Sequence, residues 1–170
     1  MKHYYTRIKD LIIFEPNALN DKRGQFYESY VQKYFNKIVG REINFVQENF
    51  SISKLGVLRG MHYQKKPYEQ GKLVSVVNGK ILDVALDLRK DSDTYGNYIS
   101  EELSSDNRKQ FWIPEGFAHG FLALTDNASV NYKTTSYYSP DHERTIKYDD
   151  PQFSIEWPKN IDYIISEKDS

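Results

Sequence analysis

Two histidines in this chain stand where glycines permit close backbone approach. Residues 56–64, GVLRGMHYQ, place Arg59 and His62 at i and i+3 in a glycine-bounded apolar run. Residues 112–120, WIPEGFAHG, hold His119 in a similar setting, and Lys72 follows the first run closely. Arg and Lys recognise phosphate or carboxylate, the first with a fork of donors and the second as a point charge. An imidazole with an ordinary pKa of about 6.5 can accept a proton at physiological pH. With a tyrosine donating from the opposite side, such a set suits proton abstraction beside a carbonyl. Taken alone, each histidine also reads as a satisfied side chain in a pocket wall.

Other chemistries fit less well. The chain contains no cysteine, which removes disulfides, thiol nucleophiles and thiolate metal sites. No serine sits in a nucleophile-elbow setting, and no dinucleotide or triphosphate loop is present. Small β-barrels of the cupin type hold metal on two spaced motifs, and both are partly present. Gly56, His62 and Glu69 fit the first and Pro114-Glu-Gly-Phe-Ala-His119 the second, but Gln64 stands where a second histidine is needed. Glutamine is a poor replacement for imidazole at a transition metal. His3 and His142 lie outside both motifs, so no metal is expected.

The elements that must position these residues read as strands. In residues 72–88, KLVSVVNGKILDVALDL, Leu82, Val84, Leu86 and Leu88 alternate with Asp83, Ala85 and Asp87. Asn78-Gly79 predicts a two-residue hairpin turn. Residues 45–52 alternate too, with Val46, Phe50 and Ile52 on one face and Gln47, Asn49 and Ser51 on the other. The polar face either lines a pocket or meets solvent; parity alone does not choose. Tyr132 shares parity with Val130 and Tyr138. Further strands are predicted at 26–30, 56–62, 110–113, 121–125 and 128–138. One helix is predicted at 30–38, where Val31, Tyr34, Phe35 and Ile38 form a stripe ended by Gly40. Many short strands separated by turns indicate an all-β sandwich or barrel.

The 170 residues fit one domain with a substantial core. The 23 basic and 24 acidic residues nearly cancel, which gives no basic surface for nucleic acid. No apolar run approaches the roughly 20 residues of a membrane span, and no signal-peptide core follows Met1, so a cytoplasmic location is the default expectation. The 14 tyrosines suit pockets that need an apolar body with a polar tip.

Taken together, GVLRGMHYQ, QGKLVSVVNGKILDVALDLR (residues 70–89), FWIPEGFAHGFLAL (residues 111–124) and Tyr132-Lys133 resemble the dTDP-4-dehydrorhamnose 3,5-epimerase (RmlC) family. Phe14 with DKRGQF (residues 21–26) and Glu28 resembles the family's nucleotide-contacting arm, and FVQENFS (residues 45–51) its Gln-x-Asn strand. Asp149-Asp-Pro151, Ile155, Trp157-Pro158 and Ser166-Glu-Lys-Asp169 resemble its closing segment. The resemblance runs in order from about residue 10 to the end. It implies a cupin-like jelly roll over residues 1–170, with an amino-terminal arm to about residue 45 and a closing segment at 159–170.

The resemblance also implies a cofactor-free reaction. Family members invert C5 and C3 of dTDP-4-dehydro-6-deoxy-D-glucose, giving dTDP-4-dehydro-L-rhamnose; both carbons flank the C4 ketone. His62 then matches the base and Asp169 its orienting carboxylate. Lys72 matches the residue beside the C4 oxygen, and Tyr132 the acid that reprotonates the opposite face. Arg59 and His119 match sugar or diphosphate contacts. Arg23, Glu28, Gln47 and Asn49 match nucleotide and sugar contacts, Glu143 and Lys168 further binding positions, and Tyr138 a pocket wall. A homodimer is implied, with the arm bearing Arg23 and Glu28 reaching across the interface. Met61 stands where leucine is usual, Glu143 is not followed by the family's glycine, and Tyr148 replaces a tryptophan. The rival readings are inversion of one carbon only or of another nucleotide-linked 4-keto sugar, a metal-dependent cupin enzyme, and a non-catalytic sugar-binding cupin.

Overall fold

The alternation of apolar residues resolves into thirteen strands and one helix in a computed structural model that describes residues 1–170. Strands β1 (Lys2–Tyr5), β2 (Ile12–Glu15), β3 (Leu19–Asp21) and β4 (Gly24–Phe26) precede helix α1 (Gln32–Val39). Strands β5 (Gln47–Ser53), β6 (Leu58–Gln64), β7 (Lys72–Asn78) and β8 (Lys80–Asp87) follow. The chain then forms β9 (Tyr98–Ser104), β10 (Gln110–Ile113), β11 (Phe117–Ala123), β12 (Ala128–Thr134) and β13 (Glu143–Thr145).

Two antiparallel sheets face each other as a cupin-like jelly roll. One has the order β1-β2-β10-β7-β12-β5 and the other β13-β6-β11-β8-β9, while β3 and β4 form a separate hairpin. Between the sheets lies an apolar core that includes Ile13, Val74, Val76, Phe111 and Ile113 from the first and Ile81, Ala85, Phe117 and Phe121 from the second. The outer faces are covered as well. Phe35 of α1 packs with Phe14, Leu73 and Trp112 on the six-stranded sheet. Val84, Leu86 and Leu122 on the five-stranded sheet lie under Trp157, Ile161 and Tyr163 of the carboxyl-terminal segment. Covering both faces explains why β8 and β11 are almost entirely buried.

The hairpin predicted at Asn78-Gly79 is not a paired hairpin. Gly79 does turn the chain with φ +76°, and a side chain there would meet Thr125 Oγ1 at 2.3 Å. But β7 lies between β10 and β12 while β8 lies between β11 and β9, so the turn carries the chain from one sheet to the other. Both strands bury two faces, and each finds its ladder partners inside its own sheet. The predicted strand at 26–30 ends at Phe26. Tyr30 packs instead against the rings of Phe35 and Phe45. The helix forms as expected, and Gly40 closes it at φ 79° with its N–H on the Asn36 carbonyl. Within its stripe Phe35 is buried, whereas Tyr34 is half exposed. Strands β1, β2, β3, β9 and β13 lie outside the predicted set; they are short or only weakly alternating.

One irregularity matters for the site. His119 pairs with His62 and Phe121 with Arg59, so β6 spends three steps where β11 spends two. This is a β-bulge. It centres on Gly60 at φ +112°, where a side chain would come within 2.6 Å of Gly120 Cα. Strict period-two geometry would send Arg59 and His62 to opposite faces. The bulge brings both to the same cavity.

Candidate active site

The cavity, of about 410 Å³, opens between the sheets and is walled by β5, β6, β7, β11, β12 and the carboxyl-terminal segment. This lies within the range of small-molecule sites, roughly 300–1,000 Å³. From β5 come Gln47, Asn49 and Ser51, which decides the parity question: the polar face points inward, and Phe50 and Ile52 point out to solvent. The Gln47 amide donates to Asn49 Oδ1 at 2.9 Å, and Gln47 Oε1 accepts from the Tyr138 backbone N–H at 2.9 Å.

His62 and Asp169 form the most directed pair. His62 Nε2 lies 2.6 Å from Asp169 Oδ1, and Asp169 Oδ2 accepts from the Gly60 N–H at 3.3 Å. Asp169 is only 3 % exposed, so the penultimate residue is no frayed end. The segment carrying it is held by Ile164, which exchanges backbone hydrogen bonds with Gly56 and Leu58. A carboxylate only accepts. The proton of a neutral His62 therefore belongs on Nε2, leaving the lone pair on Nδ1. Burial pushes the His62 pKa below its ordinary value, and the Asp169 hydrogen bond only partly offsets that.

Lys72, at the start of β7, is 7 % exposed and donates from Nζ to the His62 carbonyl at 3.3 Å. Burial lowers its pKa to about 8, against the opposing charges of Asp83 and Glu143. Tyr132 reaches the cavity from β12, and its ring centroid lies 6.5 Å from that of His119. Burial raises the Tyr132 phenol. Arg59 donates from Nε to Ser53 Oγ at 3.2 Å. At the rim, Glu143 accepts from the Tyr138 hydroxyl at 2.7 Å and pairs with Lys168. Burial works to raise the Glu143 carboxyl, but these two donors prevail and hold it low.

Thus His62, Lys72, Tyr132, Asp169, Gln47, Asn49, Arg59, His119, Tyr138, Glu143 and Lys168 all line one cavity. Arg23 and Glu28 do not. Their hairpin and the chain after it join neither large sheet, and Arg23 is highly exposed in a pair with Asp21. Gln64, at the position of the missing second histidine, is a brace: its Oε1 accepts from the Ser139 N–H at 2.7 Å and its amide donates to the Tyr68 and Tyr137 carbonyls. Glu69 lies outside the cavity, and no three His, Cys, Asp or Glu residues are grouped to hold a metal. Sequence reading missed Asp83, whose Oδ1 lies 2.7 Å from His119 Nε2. Its alternation with leucines and valines marked a strand without showing that Asp83 faces the interior.

The fold and this cavity define a jelly-roll protein of the cupin-like class with ionisable side chains gathered in one cavity. The family profile of dTDP-4-dehydrorhamnose 3,5-epimerase matches residues 5–170. The epimerase of that name from Shigella flexneri is 51 % identical over 164 residues, covering 96 % of this chain and 90 % of the relative. A Legionella pneumophila RmlC structure in complex with dTDP-4-keto-L-rhamnose superposes with a TM-score of 0.95 at 48 % identity, over 99 % of this chain and 89 % of that one. ChmJ, a 3'-monoepimerase from Streptomyces bikiniensis in complex with dTDP-quinovose, superposes at 0.92 with 31 % identity, over 98 % and 84 %. The chain belongs to the dTDP-4-dehydrorhamnose 3,5-epimerase family, and it is an isomerase.

Proposed function

We propose that this chain converts dTDP-4-dehydro-6-deoxy-D-glucose to dTDP-4-dehydro-L-rhamnose by two inversions, each a proton removal and a proton return, using only its own side chains. His62 removes the proton from C5, and the electron pair moves into a C4 enolate. The buried ammonium of Lys72 stabilises the oxyanion. Tyr132 returns a proton to the opposite face of C5, and the sequence repeats at C3. Positioned acid–base groups typically contribute about 10²–10⁴-fold, which leaves charge stabilisation by Lys72 a large share. The observation that carries this reading is the His62–Asp169 pair, with Nδ1 left as a base in a cavity that also holds Lys72 and Tyr132.

Arg59 and His119 sit where the diphosphate or the sugar would lie, while Gln47, Asn49, Tyr138, Glu143 and Lys168 form the nucleotide side. Arg23 and Glu28 complete the cavity of a second copy, in a homodimer. Their distance from their own cavity supports this. So does the exposed apolar surface of the six-stranded sheet, where Phe50, Ile52 and Val77 are 56, 61 and 60 % exposed and β5 is an unpaired edge. The three parts of one domain, an arm to about residue 45, the jelly roll and a closing segment at 159–170, follow from the same reading. No helix is long and apolar enough to cross a membrane, and we place the reaction in the cytoplasm.

Incubation with dTDP-4-keto-6-deoxyglucose in deuterated water tests the assignment. NMR of the product should show deuterium at both C3 and C5. Deuterium at one carbon only would establish single inversion, the second reading, which the similarity to a 3'-monoepimerase favours. Turnover that is lost to chelator and restored by iron would overturn the cofactor-free mechanism.

A further inference from the structure

A second imidazole–carboxylate pair lies deeper than the first, and neither proton transfer uses it. Asp83, on β8, is fully buried, with Oδ1 2.7 Å from His119 Nε2. Its Oδ2 has no hydrogen-bond partner. The flanking Leu82 and Val84 belong to the layer under the carboxyl-terminal segment, which turns Asp83 toward the space between the sheets. A fully buried carboxylate with one idle oxygen is costly to keep, and such groups concentrate where a charge is needed.

The nearby charge that needs a partner is Lys72, whose ammonium bonds only the His62 carbonyl. The titratable groups around it are Asp83 from β8, Glu143 from β13, His62 from β6 with its Asp169, His119 from β11 and Tyr132 from β12. Glu143 is already committed to Lys168 and Tyr138, and Asp169 to His62. Glu143 makes both bonds through Oε2 at the cavity rim, so Asp83 is the fully buried carboxylate with an unpartnered oxygen.

We infer that Asp83 is a positioning residue for the epimerisation: one oxygen holds His119 with its proton on Nε2 and its lone pair on Nδ1, and the other supplies the counter-charge that keeps Lys72 cationic. The inference rests on the reaction proposed above. The electrostatics agree in direction: burial depresses Lys72, and the charge of Asp83 is the foremost influence opposing it.

The test is Asp83→Asn, which keeps shape and removes charge. Acetylation of Lys72 by acetic anhydride, followed against pH by peptide mass spectrometry, reads its protonation without any turnover. The midpoint should fall by about one pH unit or more, the usual effect of losing a close opposite charge. The alkaline limb of kcat/KM should move the same way, with kcat down about tenfold or more and KM nearly unchanged. His119→Ala serves if Asp83→Asn does not fold. Without its imidazole the buried Asp83 carboxyl loses the partner that favours its charged form, so the midpoint should fall as it does in Asp83→Asn. A midpoint unmoved or raised in either variant overturns the inference. Wild-type protein that takes up no deuterium would sink the proposed reaction instead, and the labelling midpoints would still decide how Asp83 acts on Lys72.

Discussion

His62 and Asp169 are 107 positions apart in the chain, yet His62 Nε2 lies 2.6 Å from Asp169 Oδ1. The segment carrying Asp169 is tied to Gly56 and Leu58 through Ile164 and then turns inward, which brings the carboxylate to the imidazole. If that carboxylate fixes the tautomer of the base, Asp169→Asn should lower kcat by about 10²–10⁴-fold, by analogy with the orienting aspartate of a catalytic triad. His62→Ala should abolish turnover while nucleotide-sugar affinity, measured by calorimetry, stays within a few-fold. Near-normal turnover in His62→Ala would remove this residue from the base role.

In the proposed reaction two groups bracket the working pH range. His62 must be neutral to accept a proton, and its depressed pKa puts the acid limb of kcat/KM below the ordinary 6.5. Lys72 must be charged to hold the oxyanion, and its pKa of about 8 puts the alkaline limb there. Activity should therefore rise as pH climbs through the first value and fall as it passes the second. A pH–rate profile that stays flat from 7 to about 9.5 would exclude Lys72 as the charged stabiliser.

In the proposed reaction Tyr132 acts only in proton return, which separates it from proton removal. Tyr132→Phe deletes the donor and leaves His62 untouched. Exchange of substrate protons with deuterated water should then outrun the appearance of inverted product, a ratio that NMR measures directly. Equal loss of exchange and inversion would place Tyr132 in the pocket wall without a proton-transfer role.

Gly60 makes the constellation geometrically possible. At φ +112°, with Gly120 Cα 2.6 Å from where a side chain would begin, any other residue strains the bulge. Such backbone strain costs on the order of 1–3 kcal/mol. Gly60→Ala should lower the melting temperature and reduce kcat/KM by far more than its loss of folded protein explains. Unchanged kinetics would show that the cavity tolerates a different placement of Arg59 and His62.

The proposed interface is open to a simple measurement. Sedimentation should give a dimer for the wild-type chain, and Phe50→Asp with Ile52→Lys should give monomers of low activity. Full activity in a monomer would mean that Arg23 and Glu28 serve no neighbouring cavity.

Much of the site was legible before the fold was known. Residue type alone gave Arg59, His62 and Lys72 as chemically competent, and the run of motifs from residue 10 onward gave their family and, through it, Tyr132. Alternation placed β5, β7, β8 and β12 well, because a strand's period is a local property of the chain. Other features depend on packing. Alternation in β8 set Asp83 against leucine and valine but could not show that both faces would be buried, since the cover comes from residues after 150. Asn78-Gly79 fixed a turn without fixing which strands it would join. The three-residue spacing of Arg59 and His62 serves one cavity only because β6 bulges at Gly60 against Gly120. The sequence determined which side chains were available and which segments would extend. The tertiary structure decided which of them share a cavity, because the faces a strand buries are set by the layers that close over it.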